Sequence, residues 1–172
     1  KYKHQNKKKL LIIVSPIEFK IWPYCTMFQI ESGFNNVLDI LKLVNKDISS
    51  NSTVRFGKSY NSLKGQYYLN KYFMDKSLRI EMGERSFVKA RCNSRLTFFN
   101  YDSTGILENL ALNYPTICMW NNLEDNINDQ FLFKYQTLIK AKILFLNKID
   151  LVKHLNSIWN NIDEWWLSKD TQ

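Results

Sequence analysis

The chain has 172 residues, of which 45% are hydrophobic and 15% aromatic, and it carries a formal net charge of +8. This length fits one domain, and the hydrophobic content excludes an intrinsically disordered chain. No segment approaches the roughly 20 consecutive apolar residues of a membrane-spanning helix, so we expect a cytoplasmic protein.

The distribution of basic residues and cysteines excludes further classes. Five of the 24 Lys and Arg residues lie in the first nine positions, and the rest are spread along the chain, which does not favour a nucleic-acid-binding face. The cysteines, Cys25, Cys92 and Cys118, are widely spaced and accompanied by only two histidines. We therefore expect buried free thiols in a reducing cytosol, with neither a disulfide framework nor a metal site.

Short β-rich runs alternate with stretches of helical periodicity along the chain. The first predicted strand, Lys9 to Ser15, is almost wholly apolar, as is typical of a strand buried on both faces, and an amphipathic helix follows within 34–46. Further strands are predicted at Ser52–Lys58, Leu78–Met82, Arg95–Asn100, Tyr114–Trp120 and Lys142–Phe145. Further helices are predicted within 62–73 (where a loop is the alternative), 86–93, 105–113, 131–141 and 148–167. This alternation predicts a Rossmann-like three-layer α/β domain with a mostly parallel sheet.

The segment after the fourth predicted strand is the strongest candidate site, because open α/β sheets bind ligands beyond the carboxyl ends of their strands. Asp102, Ser103 and Thr104 are typical N-cap residues, and the helix that they open would present backbone N–H groups and a positive dipole end to a phosphate. Gly105 would allow close approach of a ligand, and Glu108 could accept hydrogen bonds from a ribose diol. The alternative is an ordinary capped helix with Glu108 near the capping-box position.

Charged residues after the second and third predicted strands are weaker candidates. Arg55 and Lys58 could reach an anionic ligand, Arg55 through a bidentate fork and Lys58 as a point charge. Alternatively, both are solvated charges at a strand end. Glu81 and Glu84 could hold a sugar hydroxyl or act as a base, although solvated carboxylates are the commoner case.

Aromatic residues form two further groups. Those in the loop after the first strand could stack a base or a sugar, or could pack against a domain outside this chain. They are Trp22, Tyr24 and Phe28. Trp159, Trp165 and Trp166 on the last predicted helix are expected to be core or interface anchors, and we interpret Trp165 and Trp166 as a packing seam with a preceding domain.

Three ordered segments carry a resemblance to a known family. They are STGILENLALNYPTICMW (103–120), FLFKYQTLIKAKILF (131–145) and HLNSIWNNIDEWWLSKDTQ (154–172). They resemble the C-terminal half of transferases encoded in bacterial surface-carbohydrate loci for capsule or O-antigen, which are GT-B-like proteins. The resemblance covers roughly residues 95–172 well and the first half only through its strand order.

The resemblance implies a donor-binding domain of a glycosyltransferase that uses a nucleotide-sugar and needs no further cofactor. Ser103, Thr104 and Gly105 would contact phosphate and Glu108 the ribose, while the helix terminus that begins at Asp102 would stabilise the charge of the departing nucleotide. Arg55 and Lys58 would assist in this stabilisation.

The chain departs from the family pattern at two places. Many relatives carry Gly where this chain has Asn113, and related capsule transferases often carry a His-Pro pair where this chain has Phe56 and Gly57. A histidine role is therefore not transferred to this chain.

The implied partners are a nucleotide-sugar donor, a glycan or lipid-linked acceptor, and a peripheral contact with the cytoplasmic face of the inner membrane, but no nucleic acid. Residues 1–172 would be a single nucleotide-binding domain, inactive alone, because the acceptor would be held by an N-terminal domain outside this chain. The alternatives are a non-catalytic nucleotide- or phosphosugar-binding module and an interaction domain with an empty crevice.

Overall fold

The computed structural model describes residues 7–14, 27–74, 78–120 and 127–172. Its strands are β1 (Leu10–Ile13), β2 (Ser52–Arg55), β3 (Arg79–Glu81), β4 (Leu96–Phe99), β5 (Thr116–Met119) and β6 (Leu144–Phe145). Its helices are α1 (Met27–Leu43), α2 (Lys46–Ser50), α3 (Leu63–Tyr72), α4 (Phe87–Cys92), α5 (Thr104–Ala111), α6 (Asp129–Lys140), α7 (Lys148–Ile158) and α8 (Ile162–Trp166), with a short 3-10 turn at Lys58–Asn61.

The six strands form one parallel sheet in the order β3-β2-β1-β4-β5-β6. The register places Ile13 of β1 beside Arg55 of β2 and Phe99 of β4. From β1 the chain moves outward to β3, then returns to β4 on the other side of β1 and continues to β6. The predicted Rossmann-like three-layer α/β fold is confirmed, and its topological switch point lies between β1 and β4.

Alternate strand residues point into two hydrophobic layers, as the two-residue period of a strand requires. On the first face, Leu10 and Ile12 of β1 contribute to a cluster with residues of α1, α3 and α7. On the second face, Leu11 and Ile13 contribute to a cluster with residues of α4, α5 and α6. Because both faces of β1 are covered, its run of apolar residues fits the rule for a central parallel strand.

The single helix predicted from Lys148 to Leu167 is wrong, because α7 and α8 are separate helices. Asn161 leaves the helical conformation, with φ −140° and ψ 58°, while its N–H donates to the carbonyl of Ile158 at 2.9 Å. The break carries the chain around the β6 edge of the sheet, since Ile162 belongs to the first cluster and Trp166 to the second.

The tryptophans of this region anchor it to its own domain. Trp166 is 2% exposed, and its Nε1 donates to Oδ1 of Asn113 at 2.7 Å. Trp159 is 3% exposed and donates to Oδ2 of Asp47 at 2.9 Å. The prediction that Trp166 packs against another domain is therefore wrong. Trp159 and Trp166 are both anchored in the core of this domain. Asn113 itself adopts a left-handed conformation, with φ 55°, which asparagine tolerates better than most residues.

Two other expectations concern the thiols and the membrane. Cys92 and Cys118 are free thiols, and Cys118 is buried, whereas Cys25 lies outside the described residues. None of the helices in the described ranges combines the length and the apolar character that a bilayer crossing needs.

Candidate functional site at the carboxyl edge of the sheet

The carboxyl ends of β1 and β4 form the floor of the candidate crevice. The N–H of Asn100, the residue after β4, donates to the carbonyl of Ile13 at 3.4 Å. Helix α1 approaches the same point, because a Cβ atom built on Gly33 would lie 3.1 Å from Nδ2 of Asn100. A larger residue at position 33 would therefore displace the Asn100 side chain or the helix.

Helix α5 points its N-terminus at this crevice. Ser103 is the N-cap, and its Oγ accepts a hydrogen bond from the N–H of Gly105 at 3.2 Å. The N–H of Ile106 donates to the Ser103 carbonyl at 2.9 Å. The cap therefore already uses two amides of the first turn, and a phosphate here would depend on the helix dipole and on the hydroxyl protons of Ser103 and Thr104.

Packing against the sheet accounts for the glycine at position 105. A Cβ atom built on Gly105 would lie 3.0 Å from Cε1 and 3.2 Å from Cζ of Phe99, the last residue of β4. Contacts this short force a neighbour to move. Glycine at this position therefore lets α5 rest directly on the end of β4, whether or not a ligand approaches it.

Three predicted site residues have exposed side chains around the α5 terminus, namely Asp102, Thr104 and Glu108. Although Asp102 as a whole residue is exposed, its carboxyl group is partly desolvated, which raises its pKa. Desolvation also raises the pKa of Tyr135, and the Asp102 carboxylate raises it further. Asp102 therefore lies toward the Tyr135 side of the site. Because a carboxylate repels phosphate, Asp102 suits a ligand hydroxyl better than a phosphate oxygen.

Two aromatic residues that are not among the predicted site residues lie on this side of the site, Tyr135 near Asp102 and Trp120 against Tyr135. Trp120 follows β5 directly, with its N–H donating to the carbonyl of Phe145 at 3.0 Å. Its ring lies 5.2 Å from the ring of Tyr135 on α6, centroid to centroid. The Trp120 Nε1 is buried without a hydrogen-bond partner in the described part of the chain. Its position after a strand was the signal that could have found it.

Arg55 lies apart from the α5 terminus and has local partners. Its guanidinium forms an ion pair with Glu81, and both side chains are 12% exposed. Its Nη2 also donates to the carbonyl of Arg85 at 2.7 Å. The strand β1 separates Arg55 from β4, so their backbones are roughly 10 Å apart. Arg55 and Glu81 therefore interact with each other, and neither is a solvated charge.

Lys58 does not extend β2 as predicted. The strand ends at Arg55, and Lys58 opens the 3-10 turn, in which the N–H of Tyr60 donates to the carbonyl of Gly57 at 3.1 Å. The Lys58 side chain is exposed. It remains a candidate contact for an anion, but from a turn that lies on the β2 side of the crevice.

The remaining candidates are placed elsewhere or not described. Glu84 is exposed and lines a groove of about 330 Å³ beside β3 and α3. Trp22 and Tyr24 lie outside the described residues, and for Phe28 only the backbone, in α1, is described. Within the described ranges, no three His, Cys, Asp or Glu side chains come together in a group that could hold a metal ion.

Comparison with known proteins gives one positive result. The model of a family described as LIC12162 family transferase matches residues 1–172. The match therefore spans both halves of the sheet, β1 to β3 and β4 to β6. No curated protein matches the chain.

Proposed function

Because the chain belongs to the LIC12162 family of transferases, we propose that it binds a sugar nucleotide at the carboxyl edge of its sheet and takes part in glycosyl transfer during bacterial surface polysaccharide synthesis. The observation that carries the proposal is the position of the α5 N-terminus at the point where the strand order reverses. Open parallel sheets bind nucleotides at this point, and helix N-termini attract phosphate.

The residues around α5 have separate roles in this proposal. The diphosphate lies at the helix terminus near Ser103 and Thr104, and Glu108 accepts hydrogen bonds from the ribose. Trp120 and Tyr135 form an aromatic surface for the base. The helix dipole stabilises the negative charge that develops on the departing nucleotide, and positioning of the donor supplies the rest of the catalysis.

The acceptor in this proposal is a glycan or a lipid-linked sugar at the cytoplasmic face of the membrane. Its hydroxyl oxygen attacks the anomeric carbon of the bound sugar and gives its proton to a base, the bond from that carbon to the phosphate oxygen breaks, and the nucleotide leaves with the bonding electrons. In this proposal no described residue of this chain has the role of that base.

Thr104→Val and Glu108→Gln are expected to weaken nucleotide binding by about tenfold each, since each removes one hydrogen bond to a charged or polar ligand group. Both side chains are exposed, so the fold should be unchanged. Calorimetric titration with CMP, CDP, UDP, GDP and their sugar conjugates measures the dissociation constants. A preference for one nucleotide then identifies the donor class.

Ser103→Ala tests the helix terminus itself and has a matched control. Asn147 caps α7 in a similar way, its Oδ1 accepting from the N–H of Asp150 at 2.9 Å, and loss of either cap costs about 1 kcal/mol of stability. Only Ser103→Ala should also weaken nucleotide binding. Equal weakening by Asn147→Ala, or no binding of any nucleotide by the unmodified chain, contradicts the proposal.

A further inference from the structure

One face of the outer strands β2 and β3 is polar within the described part of the chain. The second hydrophobic cluster contains no described residue of β2 or β3, although Val54 and Ile80 face the first cluster. The residues that alternate with these two are all polar. They are Thr53, Arg55, Arg79 and Glu81. Thr53 is 5% exposed and the side chains of Arg55 and Glu81 are 12% exposed, so the β2 part of this face is largely covered. Because a parallel strand packed between two apolar layers is apolar on both faces, this pattern indicates a face occupied by charged and polar groups.

Four cations belong to this polar face, namely Lys9, Arg55, Arg79 and Arg85. Together with Glu81 we name them the β2–β3 basic patch. The register pairs Arg55 with Glu81. It pairs Arg79 with Thr53, which lies two residues before Arg55 on β2. The hydrogen bond from Arg55 to the Arg85 carbonyl brings the segment after β3 over the same face. Burial lowers the pKa of Lys9, and Arg85, Arg79 and Arg55 lower it further against the opposing effect of Glu81.

The charges of this patch are unbalanced. Glu81 is the one carboxylate among these five residues, and its ion pair is with Arg55. The other salt bridges between described residues involve Lys42, Lys71 and Lys148, which lie elsewhere. The Glu81 carboxylate also attracts Lys9, so one negative charge offsets four positive charges. A bound anion would relieve the repulsion that remains.

We propose that the β2–β3 basic patch is a second anion site, which binds a small soluble ligand carrying two or more phosphate groups. Adjacent strands are about 4.8 Å apart, and successive side chains on the same face of one strand are about 6.6 Å apart. Cations at these spacings can contact neighbouring phosphate groups of one ligand at the same time. Arginine forks suit phosphate oxygens. Arg55 and Glu81 are 12% exposed and Lys9 is half-buried, whereas Arg79 and Arg85 are exposed. The patch therefore has a recessed floor with two exposed arginines at its rim, which fits a small polyanion better than a membrane surface.

Inorganic tripolyphosphate is the probe for this site, titrated by calorimetry at low salt. Arg79→Gln and Lys9→Gln should each weaken its binding by about tenfold, and Arg79→Lys should recover part of the loss. Lys153→Gln is the matched control, because Lys153 is an exposed lysine on α7 at the first face. It makes the same change in net charge and should alter the affinity less than twofold.

Two further variants test the proposal in different ways. One separates the basic patch from the crevice, and the other should strengthen tripolyphosphate binding where the previous variants weaken it. Thr104→Val, which weakens nucleotide binding in the proposed function, should leave tripolyphosphate binding unchanged. Glu81→Gln removes the single carboxylate of the patch and should tighten binding severalfold, with a melting curve to verify folding. Absence of tripolyphosphate binding, equal losses in Lys153→Gln and Arg79→Gln, or binding only to anionic phosphatidylglycerol vesicles would overturn the proposal.

Discussion

Acidification from pH 7 to pH 4 is expected to lower the free energy of unfolding by about 3 kcal/mol through His154 alone. This side chain is 8% exposed and lies between the rings of Phe145 and Trp165, at 5.3 Å and 5.0 Å. Burial lowers the pKa of His154 to about 4, and Lys142 contributes to the shift. An unfolded histidine has a pKa near 6.5. The unfolded chain therefore binds a proton between these two values while the folded chain does not, and stability falls as the pH falls through this window.

Urea unfolding followed by circular dichroism at several pH values measures this loss. Carboxylates titrate in the same range, so the test is the difference between the native chain and His154→Leu, which keeps an apolar side chain in the buried position. The variant should lose about 3 kcal/mol less than the native chain between pH 7 and pH 4. His4→Gln removes the other histidine of the sequence and should keep the native pH dependence. Parallel curves for the native chain and His154→Leu would show that His154 is not the group responsible.

Asn109→Ala is expected to destabilise the protein by about 2 to 3 kcal/mol. Asn109 is fully buried, and its Oδ1 accepts from Nη1 of Arg91 at 3.0 Å while its Nδ2 donates to Oγ1 of Thr116 at 3.0 Å. Arg91 is 4% exposed and its Nε already lacks a hydrogen-bond partner in the described chain. Alanine would therefore remove the acceptor from a buried guanidinium, whose remaining contact is chiefly with the Tyr114 ring at 4.5 Å.

The loss of stability should depend on whether the buried Arg91 charge remains after its acceptor is removed. Arg91→Met replaces the guanidinium with an apolar chain and should cost less than Asn109→Ala. The double variant Arg91→Met/Asn109→Ala should cost less than the sum of these two single changes. Asn70→Ala, on the exposed side of α3, is the matched control and should change stability by no more than about 0.5 kcal/mol. An additive double variant would show that the buried charge is not the source of the loss.

Local patterns were sufficient to predict most elements. The apolar run of β1 and the strand–helix alternation predicted a parallel α/β sheet because periodicity and burial are encoded by neighbouring residues. The order of the strands was not predictable in the same way, since it depends on which strands pair across long stretches of chain. The break at Asn161 was missed because the apolar periodicity continues through it, and the reason for the break is the position of Trp166 on the other face of the sheet.

Only the local features of the candidate site could be predicted from the sequence. The N-cap role of Ser103 is confirmed, because capping is a property of a few consecutive residues. The ion pair of Arg55 with Glu81 joins two strands and could not be read from either one. Trp120 and Tyr135 are brought together only by the packing of α6 on the sheet, so nothing in their local sequences predicted their contact. The ligand contacts assigned to Thr104 and Glu108 stay predictions.

The pairing of β1 has a consequence for the growing polypeptide. Leu10 pairs with Ser52 on one side and with Leu96 on the other, so this apolar strand keeps an open edge on the ribosome until β4 has been synthesised. Open apolar edges recruit other chains and lead to aggregation. The three consecutive lysines at positions 7–9 place like charges directly before that edge, as gatekeeper residues do. They disfavour aggregation of the nascent chain during the interval before the sheet closes.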